Sequence, residues 1–162
     1  MRDIAREMGM EAASLYNHIK SKQLILSDLL MEIASLFTEG MHDVKDSEAK
    51  PIEKLAQLVS LHVDLTVSHT DAISLLPAEW VHLEEPTIQE FLKLRDGYEA
   101  EFREVIAASI SSDSSDDSKI DVALFSILST LRWLYSWYTK NSDVDVAQLK
   151  KDLIQNLIYG LK

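Results

Sequence analysis

The chain is predicted to be all-α, a small head of short helices carried on a larger helical bundle. Three observations point there. Apolar residues recur at three- and four-residue spacing through most of the 162 residues, and only 4 glycines and 3 prolines interrupt them. Hydrophobic residues make up 46% and charged residues 27% of the chain, the balance of an ordinary folded protein. A chain of this length holds one core-bearing domain, or a small head on a larger body.

The head comes first. Ile4, Ala5 and Met8 fall at helical spacing among Arg2, Asp3, Arg6 and Glu7, giving a short amphipathic helix that stops at Gly9, a residue suited to the left-handed conformation. A second short helix is expected from about Ala12, with Leu15 and Ile19 on one side. Two short helices about a glycine-containing turn are the layout of a helix-turn-helix, whose second helix enters the major groove of DNA. Ser14, Tyr16, Asn17 and His18 then lie on or near its exposed side, where each can donate hydrogen bonds to phosphate or base edges. Ser21 stands at an N-cap position, and Lys22 opens a long helix through Leu26, Leu30, Ile33 and Phe37 to about Val44. A lysine in the first turn opposes the helix dipole, so a phosphate partner is the expected reason for it.

The body follows. Pro51 begins a helix with Ile52, Leu55, Val59, His62 and Val63 on one stripe. A short helix from Asp71 is expected to end at Leu76, before Pro77, and the segment Ala78 to Leu83 follows it. Pro86 opens a long helix whose inner face carries Phe91, Arg95, Tyr98, Phe102, Val105 and Ile106. Residues 111–118 are serine and aspartate only, too polar to pack, and read as a mobile loop. A helix over 120–138 carries two apolar stripes, one with Ile127, Leu128 and Leu131, the other with Phe125, Ser129, Trp133 and Trp137. Apolar surface on two sides implies burial on two sides. The last helix opens with Asp145 and Gln148 as a capping box and carries Leu149, Leu153 and Leu157. Phe125, Ser129, Trp137, Leu149, Leu153 and Leu157 are therefore the expected interface of a homodimer built as an isologous four-helix contact. The competing arrangement is a monomer that buries both stripes internally.

Charge separates head from body. Residues 1–22 set Arg2, Arg6, Lys20 and Lys22 against Asp3, Glu7 and Glu11, a net +1, while the remaining 12 basic and 24 acidic residues bring the chain to −11. An acidic body repels a phosphate backbone, so only the head can face DNA. The absence of cysteine excludes disulfides and thiolate metal sites and suits a reducing cytoplasm. No apolar run approaches the ~18 residues of a membrane span, and no membrane partner is expected. No HExxH pattern, phosphate loop or nucleophile elbow occurs, so neither an enzyme nor a cofactor is expected. His62 and His69, seven apart, offer too few nitrogens for a metal site.

Candidate ligand contacts lie in the body. Arg95, between Phe91 and Tyr98, is either paired with a carboxylate from a neighbouring helix or an anchor for an anionic ligand. His62 is either a satisfied core residue or a ligand contact. Trp80, Tyr98, Phe102, Trp133 and Trp137 cluster on three helices that could enclose one aromatic cavity.

At Ile4, Ala5, Gly9, Ser14, Leu15, Tyr16, His18, Ile19, Lys20 and Lys22 the sequence resembles the head of the TetR family of transcriptional regulators. The resemblance implies that Tyr16, His18 and Lys22 contact the DNA backbone of a palindromic double-stranded operator. It divides the chain into a partial DNA-binding head, residues 1–42, whose fourth helix leads to the body, and a ligand-binding and dimerisation body, residues 43–162. That family's head has one more helix before the position of Arg2, so the first helix of the head is expected to be missing here. The segments Glu79-Trp80-x-x-Leu83, Arg95-x-x-Tyr98-x-x-x-Phe102 and Arg132-Trp133-x-x-x-Trp137-Tyr138, with Tyr159-Gly160-Leu161, look like the branch that controls fatty-acid, steroid or aromatic-acid breakdown. That likeness implies a hydrophobic small-molecule effector such as an acyl-CoA thioester, and a repressor released by it. The alternative is a dimeric helical binding module that has lost DNA binding with its first helix.

Overall fold

A computed structural model describes residues 2–9, 11, 13–14, 21–110 and 117–160. All its regular elements among these residues are helical: α1 (Arg2–Glu7), α2 (Lys22–Asp46), α3 (Pro51–Ser68), α4 (Thr70–Glu79), a 3-10 turn (Trp80–His82), α5 (Thr87–Ser109), α6 (Asp117–Arg132), α7 (Leu134–Tyr138), α8 (Val146–Ile154) and a π turn (Gln155–Tyr159).

The helix starts obey their local chemistry. Gly9 closes α1 at φ 64°, and its amide donates to the Arg6 carbonyl at 3.1 Å. Ser21 caps α2, its hydroxyl accepting from the Leu24 amide at 3.1 Å. Pro51 takes the first position of α3, where its missing N–H leaves nothing unpaired, and Glu53 accepts from the Lys50 amide at 3.0 Å. Asp145 caps α8 by accepting from the Ala147 and Gln148 amides. The expected capping box is half formed, because Gln148 turns forward to Asp152 at 2.9 Å instead of back to the cap.

Three boundaries differ from the sequence reading. Helix α2 runs on to Asp46, two residues past its expected end. Pro77 sits within α4 near its end, where few turns follow that could need its missing amide. The helix expected over 120–138 breaks at Trp133, which adopts φ −95° and ψ −1° between α6 and α7.

Helix α3 is the axis of the bundle, packed by α2, α4, α5, α6, α7 and α8. The main core joins Met41, Leu58, Phe102, Ile106, Ile127 and Leu131 from four helices. A second cluster of Leu30, Leu83 and Phe91 fastens the segment after α4 to the first half of α2. A third joins Val63, Leu134 and Leu149. Gly40 lets α2 approach α3, since a Cβ there would lie 2.6 Å from the Leu61 methyl groups.

Candidate functional site

The site is a cavity of about 410 Å³ enclosed by α2, α3, α4, α5 and α6. The size is within the usual range for small-ligand pockets. Its interior is apolar, with Phe37, Ile73, Leu76, Phe91, Leu128 and Leu131 among its walls. Leu76, Phe91, Leu128 and Leu131 also belong to the clusters that build the core.

One polar pair lies inside. His62 Nε2 and Tyr98 Oη are 2.9 Å apart and share a hydrogen bond. Phe37 and Phe102 enclose the pair, with ring centroids 4.7 Å and 6.2 Å from the imidazole. Burial lowers the His62 pKa to about 3, assisted by the positive charge of Arg132. Burial also raises the Tyr98 phenol above the ordinary tyrosine range, against a smaller opposing effect of Arg132. Both groups are neutral at physiological pH, and they present hydrogen-bonding capacity without charge to an apolar chamber.

The rim is charged. Arg95 lies over the Trp80 ring, 5.1 Å from its centroid, and binds Asp96 through Nε at 2.9 Å and Nη2 at 2.8 Å. The expectation of a carboxylate from a neighbouring helix is thus corrected: the partner comes from the same helix, and the side chain is 36% exposed. Arg132, at the end of α6, pairs with Glu99 of α5. Both guanidinia and both carboxylates border the cavity.

Of the six expected ligand contacts, His62, Trp80, Arg95, Tyr98 and Trp133 line this chamber, and Phe102 stands behind it against His62 and Tyr98. The sequence reading missed Phe37, Thr38, Thr66, Asp96 and Glu99. Glu99 could have been found, since it lies one helical turn beyond Arg95. Among the described residues no group of three histidines or carboxylates could hold a metal ion. None of the described helices is long and apolar enough to cross a membrane.

The expected interface residues divide. Phe125 is 72% exposed and Trp137 45%, while Ser129 is half-buried. Leu149 is buried with Val63 and Leu134, and Leu153 and Leu157 are partly buried, packed on the main core. On the outer side of α8 and the turn after it Gln148, Lys151, Asp152, Gln155 and Asn156 are exposed, together with Tyr159.

Of the expected DNA contacts, Ser14 is half-buried and Lys22 exposed. Tyr16, Asn17, His18 and Lys20 lie outside the described residues.

Comparison with known proteins places this architecture. Residues 48–161 match the model of the tetracyclin repressor-like C-terminal domain family. The HTH-type transcriptional repressor KstR2 of Rhodococcus jostii is 26% identical, over 99% of this chain and 80% of that protein. The structure of the ketosteroid transcriptional regulator KstR2 of Mycobacterium tuberculosis superposes with a TM-score of 0.86 at 21% identity, over 98% of this chain and 82% of that one. AibR, solved with isovaleryl coenzyme A and operator DNA, gives a TM-score of 0.73 at 22% identity, over 95% and 84%. These structural likenesses establish the fold.

Proposed function

The chain belongs to the TetR family of transcriptional regulators, and from that premise we propose that it is a homodimeric repressor of a palindromic operator, released by a hydrophobic effector. The observation that carries this reading is the cavity, apolar within and bordered by two arginines, one wall of which is α2. The same helix continues from the head, with Lys22 at its first position. An effector seated there presses on the element that sets the head's direction.

The effector class follows from the two ends of the site. An apolar body suits Ile73, Leu76, Phe91 and Leu128, and an anionic end suits Arg95 and Arg132 in competition with Asp96 and Glu99. An acyl-CoA thioester meets both conditions. The chamber takes the acyl group, and the phosphates stay outside at the arginines. The binding of isovaleryl coenzyme A by AibR, a protein of this fold, supports that choice.

The head, residues 1–42, would read successive major grooves through Ser14, Tyr16, Asn17, His18, Lys20 and Lys22, and the body, residues 43–162, would hold effector and partner. Half-sites of such dimers lie roughly 34 to 36 Å apart or a multiple of that. Effector binding favours a head separation that no longer matches this spacing, a shift between pre-existing populations.

Fluorescence anisotropy on DNA from the protein's own promoter tests the reading, with and without a panel of acyl-CoA thioesters of increasing acyl length. Specific binding that one thioester abolishes, and that Lys22→Ala weakens with a flatter salt dependence, is the expected outcome. DNA binding indifferent to every thioester and to the corresponding free acids would remove the effector assignment. A dimer that binds thioesters but no promoter DNA would favour the binding-module alternative.

A further inference from the structure

The polar pair inside the chamber has one hydrogen more than its own bond uses. His62 and Tyr98 are both neutral, so together they carry two polar hydrogens, one on the imidazole and one on the phenol. Their mutual contact at 2.9 Å uses one. If the Tyr98 hydroxyl donates to Nε2, the imidazole hydrogen sits on Nδ1, which meets no partner among the described residues. If Nε2–H donates to the phenol oxygen, the phenol hydrogen is the one left over. In either tautomer one donor is unmatched.

Both residues line the chamber, and Phe37 and Phe102 flank the imidazole, which leaves His62 only 5% exposed. A buried donor without an acceptor is costly. Thr66 repeats the pattern one helical turn along α3. It is buried, it lines the same chamber, and its hydroxyl has no partner among the described residues. The Thr38 hydroxyl, in contrast, donates to the Ala34 carbonyl at 2.9 Å.

We propose that the chamber recognises a neutral carbonyl oxygen on the acyl part of the effector, which accepts the spare hydrogen of the His62–Tyr98 pair. This deepens the effector reading above and rests on it. Two carbonyls meet the description, that of the thioester itself and that of an oxo substituent on the acyl chain.

Charge and hydrogen count select a carbonyl. A carboxylate carried past the arginine rim would exchange water for neutral donors, at a high desolvation cost. A carbonyl gives up far less water, and it satisfies the donor without adding another. The positive charge of Arg132, felt at both His62 and Tyr98, favours the negative end of the carbonyl dipole at this position.

The test uses three kinds of ligand with the same eight-carbon chain: S-octyl-CoA, a thioether with no carbonyl, octanoyl-CoA, and oxo-octanoyl-CoA with the second carbonyl at successive positions. Isothermal titration calorimetry compares them on the unchanged chain and on a His62→Leu/Tyr98→Phe double variant. Removing both partners strands neither, so the fold should persist, and urea titration checks it. At least one carbonyl ligand should bind the unchanged chain about tenfold more tightly than the thioether, and the double variant should erase that preference. A preference already present in octanoyl-CoA assigns the oxygen to the thioester; one confined to an oxo form assigns it to the substituent. If the thioether binds the unchanged chain as tightly as every carbonyl ligand, or the double variant keeps the preference, the proposal is overturned and the effector reading stands. If none of the ligands binds the unchanged chain, both fall.

Discussion

Helices α6 and α8 look alike in the sequence, each with a ladder of leucine or isoleucine, and the structure gives them different surfaces. On α6, Ile120, Ile127, Leu128 and Leu131 are buried while Val122 and Phe125 stand in solvent. On α8 the ladder is consumed within the protomer, and what faces outward is Gln148, Lys151 and Asp152. One apolar stripe is what a helix needs to join a bundle; only a second stripe on the same helix leaves surface for another molecule. Of these two helices, α6 exposes the apolar side chains Val122 and Phe125, while the leucines of α8 pack within the bundle.

The largest effect is expected on the inner side of this arrangement, at His62. Its folded-state pKa of about 3 lies below the ordinary 6.5. Between those values the unfolded chain binds a proton that the folded chain refuses. The stabilisation is thus fully present above pH 6.5 and is lost as the pH falls towards 3, by an amount on the order of several kcal/mol over the whole interval. His62→Gln, which keeps a hydrogen-bonding group beside Tyr98, should flatten the acid limb of stability measured by urea titration from pH 7 to 4.5. An unchanged slope would mean that His62 is solvated and charged, and that the chamber floor is not the neutral apolar surface described.

Next come the two leucines that separate the helices. Leu131→Ala, on the buried side of α6, should cost in the upper part of the roughly 2–5 kcal/mol range for such truncations, and Leu149→Ala in the lower part, because Leu149 lies nearer the surface. Both losses should appear in protomer stability and leave the dimer dissociation constant unchanged. If Leu149→Ala dissociates the dimer and spares the protomer, α8 belongs to the interface and the contrast fails. Phe125→Asp should do the reverse, weakening the dimer about 30-fold, roughly 2 kcal/mol, with protomer stability within about 0.5 kcal/mol. Sedimentation equilibrium with urea titration on the same variants separates the two effects.

The contrast also shows what could be read from residues alone. The second stripe of α6 was legible because Trp133 falls roughly 140 to 160° around a 3.6-residue helix from Leu128 and Leu131, on the side away from them. The inward turn of the α8 leucines was not, since a lone stripe carries no sign of whether its own bundle or another copy covers it. Within the cavity, Trp80, Tyr98 and His62 were readable as inner-face aromatics, but the hydrogen bond between His62 and Tyr98 depends on the packing of α3 against α5. Arg95 shows the limit most clearly. Its spacing placed it on the inner stripe, yet its long side chain reaches the rim and lies over Trp80, so that Cα position and guanidinium position differ in environment. The break at Trp133 had no local breaker to announce it, because neither glycine nor proline occurs between residues 98 and 159.

The smallest effect tests how α8 is held. If the leucine face does most of the work, the cap at Asp145 matters only locally. Asp145 accepts from the Ala147 and Gln148 amides at 2.9 Å and 3.2 Å. Asp145→Ala leaves those donors to water at an exposed helix start, for a cost of about 1 kcal/mol. Hydrogen exchange should then quicken at Ala147 and Gln148 while the amides beyond Leu149, anchored by Val63 and Leu134, keep their protection. Loss of protection along the whole helix would mean that α8 docks through its first turn. Its leucine ladder would then be too weakly held to close the bundle behind α6, and the exposed face of α6 would lose its rigid support.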